Sequence, residues 1–376
     1  MMFSCRKAYD TPYIQGGNHF LAVDGFIYTG TGVTSTITLS RSVNLGYPVT
    51  IPELNAQVTI QSSAGDSYLL IDSIGAGIYG SSALSLDSTL QYRLAITTSD
   101  GNKYQSDYVS SKQAPTIDSL SWELVDDPVT LQQALNIYVN AHDPANSTRY
   151  YRWDFLETYK HFSTYKTIWS DSNGLVYPLP VPYSTHTCWS TFPSHIIILG
   201  TTATLSQDVI SNIKIAGFQQ NDPILDIGCS FLVRQFPLTQ QGYLYWLNVQ
   251  KNSQSLGGLF DPQPSQVSGN LHCISNPANP VIGFISASNV QSERIYISNK
   301  SLPGWQSEHY DSTSTACDLG FQTVDPLNTL LYTYQDTSYA PYFFYGTALY
   351  VAPKSCLDCR YQGGTNIKPS FWPLND

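Results

Sequence analysis

Charge is scarce in this chain. Asp, Glu, Lys and Arg supply only 12% of its 376 residues, about half of the ~25% usual for soluble domains. Ser, Thr, Asn, Gln and Tyr must therefore cover much of the surface, a pattern common in exported β-proteins and rare in cytosolic helical enzymes. The net charge is −10, and no Lys/Arg cluster occurs beyond Arg6-Lys7. Neutralising phosphates needs such clusters, so nucleic acid is not an expected partner. Anionic lipid surfaces are disfavoured on the same electrostatic ground. No run of residues approaches the ~20 apolar positions of a membrane-spanning helix. The acyl-transfer motif G-x-S-x-G, the zinc helix H-E-x-x-H, the P-loop and the EF-hand loop are missing too, so no cofactor and no resident metal are expected.

Cysteine is present, in an uneven distribution. Cys5 stands alone at the front, and Cys188, Cys229, Cys273, Cys317, Cys356 and Cys359 fill the second half. An even set of six suits up to three disulfides, as formed in oxidising compartments, and allows 15 pairings. Cys356-Leu-Asp-Cys359 also has the spacing of half a zinc site or a redox pair, with His272-Cys273 as a distant second half. A zinc ribbon needs two matched pairs, and a thioredoxin-type pair needs a helix start in a βαβ unit. Neither context is present, and structural disulfides are the expectation. Cys5 follows Met2-Phe3-Ser4 and looks like the lipid-attachment cysteine of a bacterial lipoprotein, with Ser4 as the small residue before the cleavage point of a truncated signal. The chain thus reads as exported and tethered to a membrane by lipid.

Beyond a tether at 1–18, period-two alternation dominates. Ile37 and Leu39, then Ala56, Val58 and Ile60, then Tyr92, Leu94 and Ile96 alternate with polar residues, the mark of half-buried strands. Turn signals fall between them at Ala64-Gly65-Asp66 and Ser99-Asp100-Gly101-Asn102. This predicts an Ig-like or transthyretin-like β-sandwich over 19–114. A larger β-rich region occupies 115–376, with a sub-boundary near 186. One helix is predicted there, capped by Thr239, with Tyr243, Trp246, Leu247 and Gln250 recurring at three and four. The fold class is all-β with one short helix. Gly75-Ala-Gly77-Ile-Tyr-Gly80 matches a dinucleotide fingerprint, but strand-like residues and not a helix come after it, so it reads as a turn.

Asp154 and Glu157 are a carboxylate pair of the kind a glycan hydrolase uses, although strand-end roles are the simpler expectation. The seven His are scattered and nominate no triad. With 27 Tyr and 7 Trp, aromatics are the remaining signal, since rings with a polar edge suit sugar or peptide stacking. Trp122 and Trp153 are expected in the core. Tyr243, Tyr245 and Trp246 spread around the helix, so at least one should face outward. They are binding candidates, together with Asp261 and Asn270 of the loop Phe260-Asp-Pro-Gln-Pro-Ser-Gln-Val-Ser-Gly-Asn270.

Several segments in order carry a family resemblance: Tyr150-Tyr-Arg-Trp153 with Glu157-Thr-Tyr159, Tyr243-x-Tyr-Trp246, Phe260-Asp-Pro-Gln-Pro-Ser265 with Gly269-Asn270, Cys356-x-Asp-Cys359, Gly363-Gly-Thr365 and Lys368-Pro-x-Phe-Trp372. The chain resembles the Bacteroidota outer-membrane lipoproteins grouped as domain of unknown function 4249. The resemblance implies a lipid-anchored outer-membrane protein, often encoded beside a TonB-dependent receptor, and supplies no catalytic residues. The expected function is a non-catalytic accessory or ligand-capture component of a TonB-dependent transporter, with a glycan or peptide as ligand. A surface hydrolase acting on glycans and a structural surface protein are the alternatives. After Cys5 comes Arg-Lys-Ala-Tyr-Asp10 and not the acidic run of surface-exported lipoproteins, which leaves surface and periplasmic exposure both open.

Overall fold

A computed structural model describes residues 20–43, 50–126, 132–172, 175–220, 222–254, 269–305, 317–323, 338–346 and 348–373. The tether, Cys5 and Asp261 lie outside the described residues.

The described chain is all-β, built of two sandwiches and a C-terminal sheet, with one long helix. Two six-stranded sheets form the first sandwich. Leu21, Val23 and Ile27 from one sheet, with Ile37 and Leu39, bury against Val58, Ile60, Tyr92, Leu94 and Ile96 of the other. These are the alternating residues of the sequence, and burying each is worth roughly 1.5–3 kcal/mol. The sandwich does not close with residue 114. The strand Leu271–Cys273 pairs with Lys103–Ser106, and Val281–Ile282 and Ser286–Ser288 lie parallel to Leu21–Tyr28. Leu271, Cys273, Ile285 and Ala287 complete the core.

The glycine run 75–80 is a turn, as its sequence context implied. The Asp72 carboxylate accepts from the Ala76 and Gly77 amides at 3.1 and 2.7 Å, and the strand Ile78–Gly80 comes next. Gly77 has φ +73°, and a Cβ there would meet the Leu39 carbonyl at 2.6 Å, so a side chain is excluded on two counts.

The second sandwich sets a three-stranded sheet, Ile117–Asp126, Gln133–Asp143 and Asp208–Gln219, against a five-stranded sheet centred on Tyr150–Phe162 and Gly228–Pro237. Tyr151, Trp153, Phe155, Phe231 and Val233 fill the space between them. The Trp153 indole donates to Gln235 Oε1 at 2.9 Å, and Gln235 Nε2 donates to the Pro115 carbonyl at 2.7 Å. Gln235 is fully buried, so its amide is satisfied within the protein. Trp153 is fully buried, as expected, and Trp122 packs on the same core from a half-buried position.

The helix, Gln240–Gln254, begins where the sequence placed it: Thr239 Oγ1 accepts from the Gly242 amide at 3.1 Å. It packs into a seam between the sandwiches that gathers Phe26, Phe236 and Leu238 with Tyr28, Tyr150, Tyr243 and Trp246.

The six late cysteines form two disulfides, not three. Cys188 bonds Cys359, and Cys317 bonds Cys356. Cys229 and Cys273 are buried free thiols on different sandwiches, each used as a small apolar core residue. Burial, and then the charge of Glu157, pushes the Cys229 thiol well up, which leaves it unreactive. Non-reducing peptide mapping should therefore recover the 188–359 and 317–356 links and find Cys229 and Cys273 alkylated only after denaturation. Cys359→Ser, which opens a loop spanning 171 residues, should cost ~2–5 kcal/mol in denaturant unfolding.

Candidate functional site

Past Leu156 the strand Tyr150–Phe162 continues beyond the core of its sandwich and forms one wall of a cleft of about 680 Å³. Tyr159, Lys160 and Phe162 come from this strand, Lys166 and His186 from the segment linking it to Thr187–Pro193, and Gln362 from the C-terminal tail. The Cys188–Cys359 bond fixes the tail there. It is reinforced by the Thr185 hydroxyl donating to the Leu357 carbonyl at 3.1 Å and by a reciprocal pair of backbone bonds between Trp189 and Thr365.

The cleft joins aromatic walls to cations. The Lys160 ammonium lies 5.6 Å from the Phe162 ring centroid. His186 stacks on Phe162 with ring centroids 4.8 Å apart and planes nearly parallel, and its Nδ1 is 3.1 Å from Ser163 Oγ. Burial, and then the charge of Lys166, lowers the His186 pKa to about 4. Its ring is thus neutral at pH 7 and offers hydrogen bonding without charge. The positive field in the cleft comes from Lys160 and Lys166, with Asp226 also in the lining. Such a surface can hold a flat ligand carrying an acidic group.

His161 and Ser190 lie 2.8 Å apart, the geometry of a base and a nucleophile. Ser190, however, is 1% exposed and donates its own proton to the Gly363 carbonyl. Its role is to secure the tail. Asp154 and Glu157 do not form a hydrolase pair either. Residues three apart on a strand project to opposite faces. Asp154 is bound by Arg234 through two hydrogen bonds, of 2.6 and 2.8 Å. Glu157 sits on the core side, where burial, and then Asp222, raises its pKa to about 7.

The residues nominated on the helix lie in the seam. Tyr245 is 7% exposed and packs on Phe284 at 5.4 Å. Tyr243 is half-buried against Tyr150 at 5.1 Å. Trp246 is half-buried over Arg152. The large apolar side chain that faces solvent is Leu244, at 48% exposure. The expectation of an outward aromatic is corrected, because both sandwiches cover the helix and each takes a ring. Asn270 is 5% exposed, and its amide donates to the Ile285 carbonyl and accepts from the Ile285 amide. It closes the first sandwich and is not an open contact residue. Sequence reasoning missed Lys160, Lys166, His186 and Arg152. For Lys160 and Arg152 the available signal was a cation placed among aromatic residues on a strand, whereas Lys166 and His186 lie in the linking segment and gave none.

By fold this is an all-β protein of two sandwiches joined through an aromatic seam. Residues 6–294 match the family described as Domain of unknown function (DUF4249), and the chain belongs to that family. No curated protein matches it. The match stops short of Cys317, Cys356 and Cys359.

The two shifted groups pull stability in opposite directions. The contribution of His186 is complete above its ordinary 6.5 and is lost as pH falls through about 4. That of Glu157 is complete below its ordinary 4.5 and is lost as pH rises through about 7. Glu157→Gln should therefore stabilise the protein at pH 8 by roughly 1 kcal/mol after allowance for solvent screening, and so raise its melting temperature there, and change it little at pH 4.5. Equal shifts at both pH values would show that Glu157 is not held in its acid form.

Proposed function

We propose that this protein is a non-catalytic, lipid-anchored outer-membrane component that captures a ligand for a TonB-dependent transporter, in a member of the Bacteroidota. The observation that carries the reading is the aromatic and cationic cleft of about 680 Å³, while the groups nearest to catalytic geometry, Ser190 and Asp154, lie outside its lining and are already committed. Ser190 gives its proton to Gly363, and Asp154 is held by Arg234. Cys5 supplies the tether. A lipid anchor keeps a binding surface at high effective concentration beside a pore, which raises capture without any new contact. Stable anchoring requires more than one acyl chain, as lipoprotein processing provides.

Two measurements on the full-length precursor in its native host test the reading. Cys5→Ser should move the protein from the membrane to the soluble fraction, whereas unchanged partition removes the anchor. Purification from detergent-solubilised outer membranes should bring down a TonB-dependent barrel, identified by mass spectrometry. Leu244→Asp, on the solvent face of the helix, should reduce that recovery without lowering the melting temperature. Absence of any barrel, or cleavage of a glycan or peptide by the purified protein, overturns it.

A further inference from the structure

The seam holds a second site, independent of the transporter reading. Arg152 projects from the face of Tyr150–Phe162 opposite Tyr151 and Trp153, towards the first sandwich. Its guanidinium lies 3.8 Å from the centroid of the Trp246 ring. Its Nε is buried with no hydrogen-bond partner among the described residues. Every other described arginine has a polar partner. Arg41 holds Glu53, Arg234 holds Asp154 and Arg360 holds Asp358. Arg93 donates to Gln61, Arg149 to the Thr202 carbonyl and Arg294 to Ser230.

Leaving a half-buried cation without a polar partner is costly. A lysine would escape by losing its proton, but a guanidinium does not deprotonate in proteins. Burial does lower the Arg152 pKa, but from so high a value that the charge persists. Stacking on Trp246 offsets part of the cost through the cation–π attraction. It leaves the in-plane Nε–H without an acceptor. The nearest acid on the same strand face, Asp154, is taken by Arg234.

Arg152 opens on a cavity of about 350 Å³ walled by Phe26, Tyr28 and Phe236 together with Thr34, Thr36 and the paired Asp154 and Arg234. Asp24, from the first sandwich, lines the same cavity and also borders a cavity of about 210 Å³ beside Trp246. Asp24 is exposed, and no ion pair joins it to Arg152 among the described residues. Arg234 and Asp154 also line the cavity but hold each other, so the seam presents one unpaired cation, one unpaired anion and three aromatic rings in a volume suited to a small ligand. A simple anion would satisfy Arg152 and be repelled by Asp24. A zwitterion satisfies both.

We propose that the seam binds a free α-amino acid with an apolar side chain. Its carboxylate accepts from Arg152, its ammonium faces Asp24, and its side chain lies along Phe26, Tyr28 and Phe236. Binding joins groups from both sandwiches, so occupancy couples them.

Isothermal titration of the purified protein with L-phenylalanine, L-phenylalaninamide and 3-phenylpropanoate tests this directly. L-Phenylalanine should bind. The amide, which lacks the carboxylate, should bind at least about tenfold more weakly, the loss expected for a charge-assisted hydrogen bond. 3-Phenylpropanoate, which lacks the ammonium, should also be weaker, and Asp24→Asn should erase its difference from L-phenylalanine. Arg152→Gln should lower L-phenylalanine affinity at least about tenfold, while Lys300→Gln, on a distant exposed turn, leaves it unchanged. If Arg152→Gln fails to fold, the three probes on the wild-type protein still decide. No binding of L-phenylalanine or L-leucine, or equal binding of acid and amide, overturns the proposal. Tighter binding of 3-phenylpropanoate than of L-phenylalanine would replace it with a plain carboxylate site.

Discussion

The alternation of one strand, Tyr150–Phe162, organises the molecule. A strand sends successive side chains to opposite faces. On one face Tyr151, Trp153 and Phe155 fill the core of the second sandwich. On the other, Tyr150, Arg152 and Asp154 face the helix and the first sandwich. The strand Leu21–Tyr28 answers in kind. Leu21, Val23 and Ile27 enter its own core, while Asp24, Phe26 and Tyr28 enter the seam. Two strands, each in a different sandwich, thus set both interiors and the surface between them. A one-residue slip in either would exchange core and seam.

The two faces follow different energetic rules. On the core side polar groups are few and satisfied, as in the chain from Trp153 through Gln235 to the Pro115 carbonyl. Replacing Gln235 with an apolar residue would leave the indole N–H orphaned, at a cost of about 1–3 kcal/mol. The seam mixes aromatic area with charge. Burial of Phe26 and Phe236, whose rings lie 5.1 Å apart, supplies cohesion by area. The Arg234–Asp154 pair, partly exposed, adds little to that. Orientation is its larger effect, since it occupies Asp154 and leaves the neighbouring Arg152 without an acid. Apolar area holds the seam together, and the distribution of charge determines what it can receive.

Much of the fold was legible because alternation is local. Ile37, Leu39, Val58, Ile60, Tyr92, Leu94 and Ile96 are all buried in the first core, and Thr239 caps the helix as its side-chain chemistry requires. Pieces that depend on distant pairing were not legible. Val281–Ile282 and Ser286–Ser288 are too short to show a period, and their parallel partner lies more than 250 residues earlier. The helix misled for a related reason. Tyr243, Tyr245 and Trp246 point in different directions, which normally leaves a ring outside, but two sandwiches flank this helix and bury rings on more than one side. Spacing could not tell the disulfide cysteines from Cys229 and Cys273, since pairing is decided by which strands meet.

The two candidate sites differ in where their parts come from. Asp24, Phe26, Arg152, Phe236 and Trp246 all fall within residues 6–294, the stretch shared with the family. The described seam residues therefore lie wholly within the matched stretch. The large cleft takes Lys160 and His186 from that stretch but Gln362 from the tail beyond it, and the bond from Cys188 to Cys359 crosses between the two. Reduction of that bond would loosen the tail side of the cleft, which the Cys317–Cys356 bond and the contacts of Thr185, Trp189 and Ser190 also hold, and would leave the packing of the seam unchanged. A ligand held in the cleft thus depends in part on the disulfide-held tail, whereas one held in the seam depends on the docking of two sandwiches. The redox state of the compartment acts on the first and not on the second.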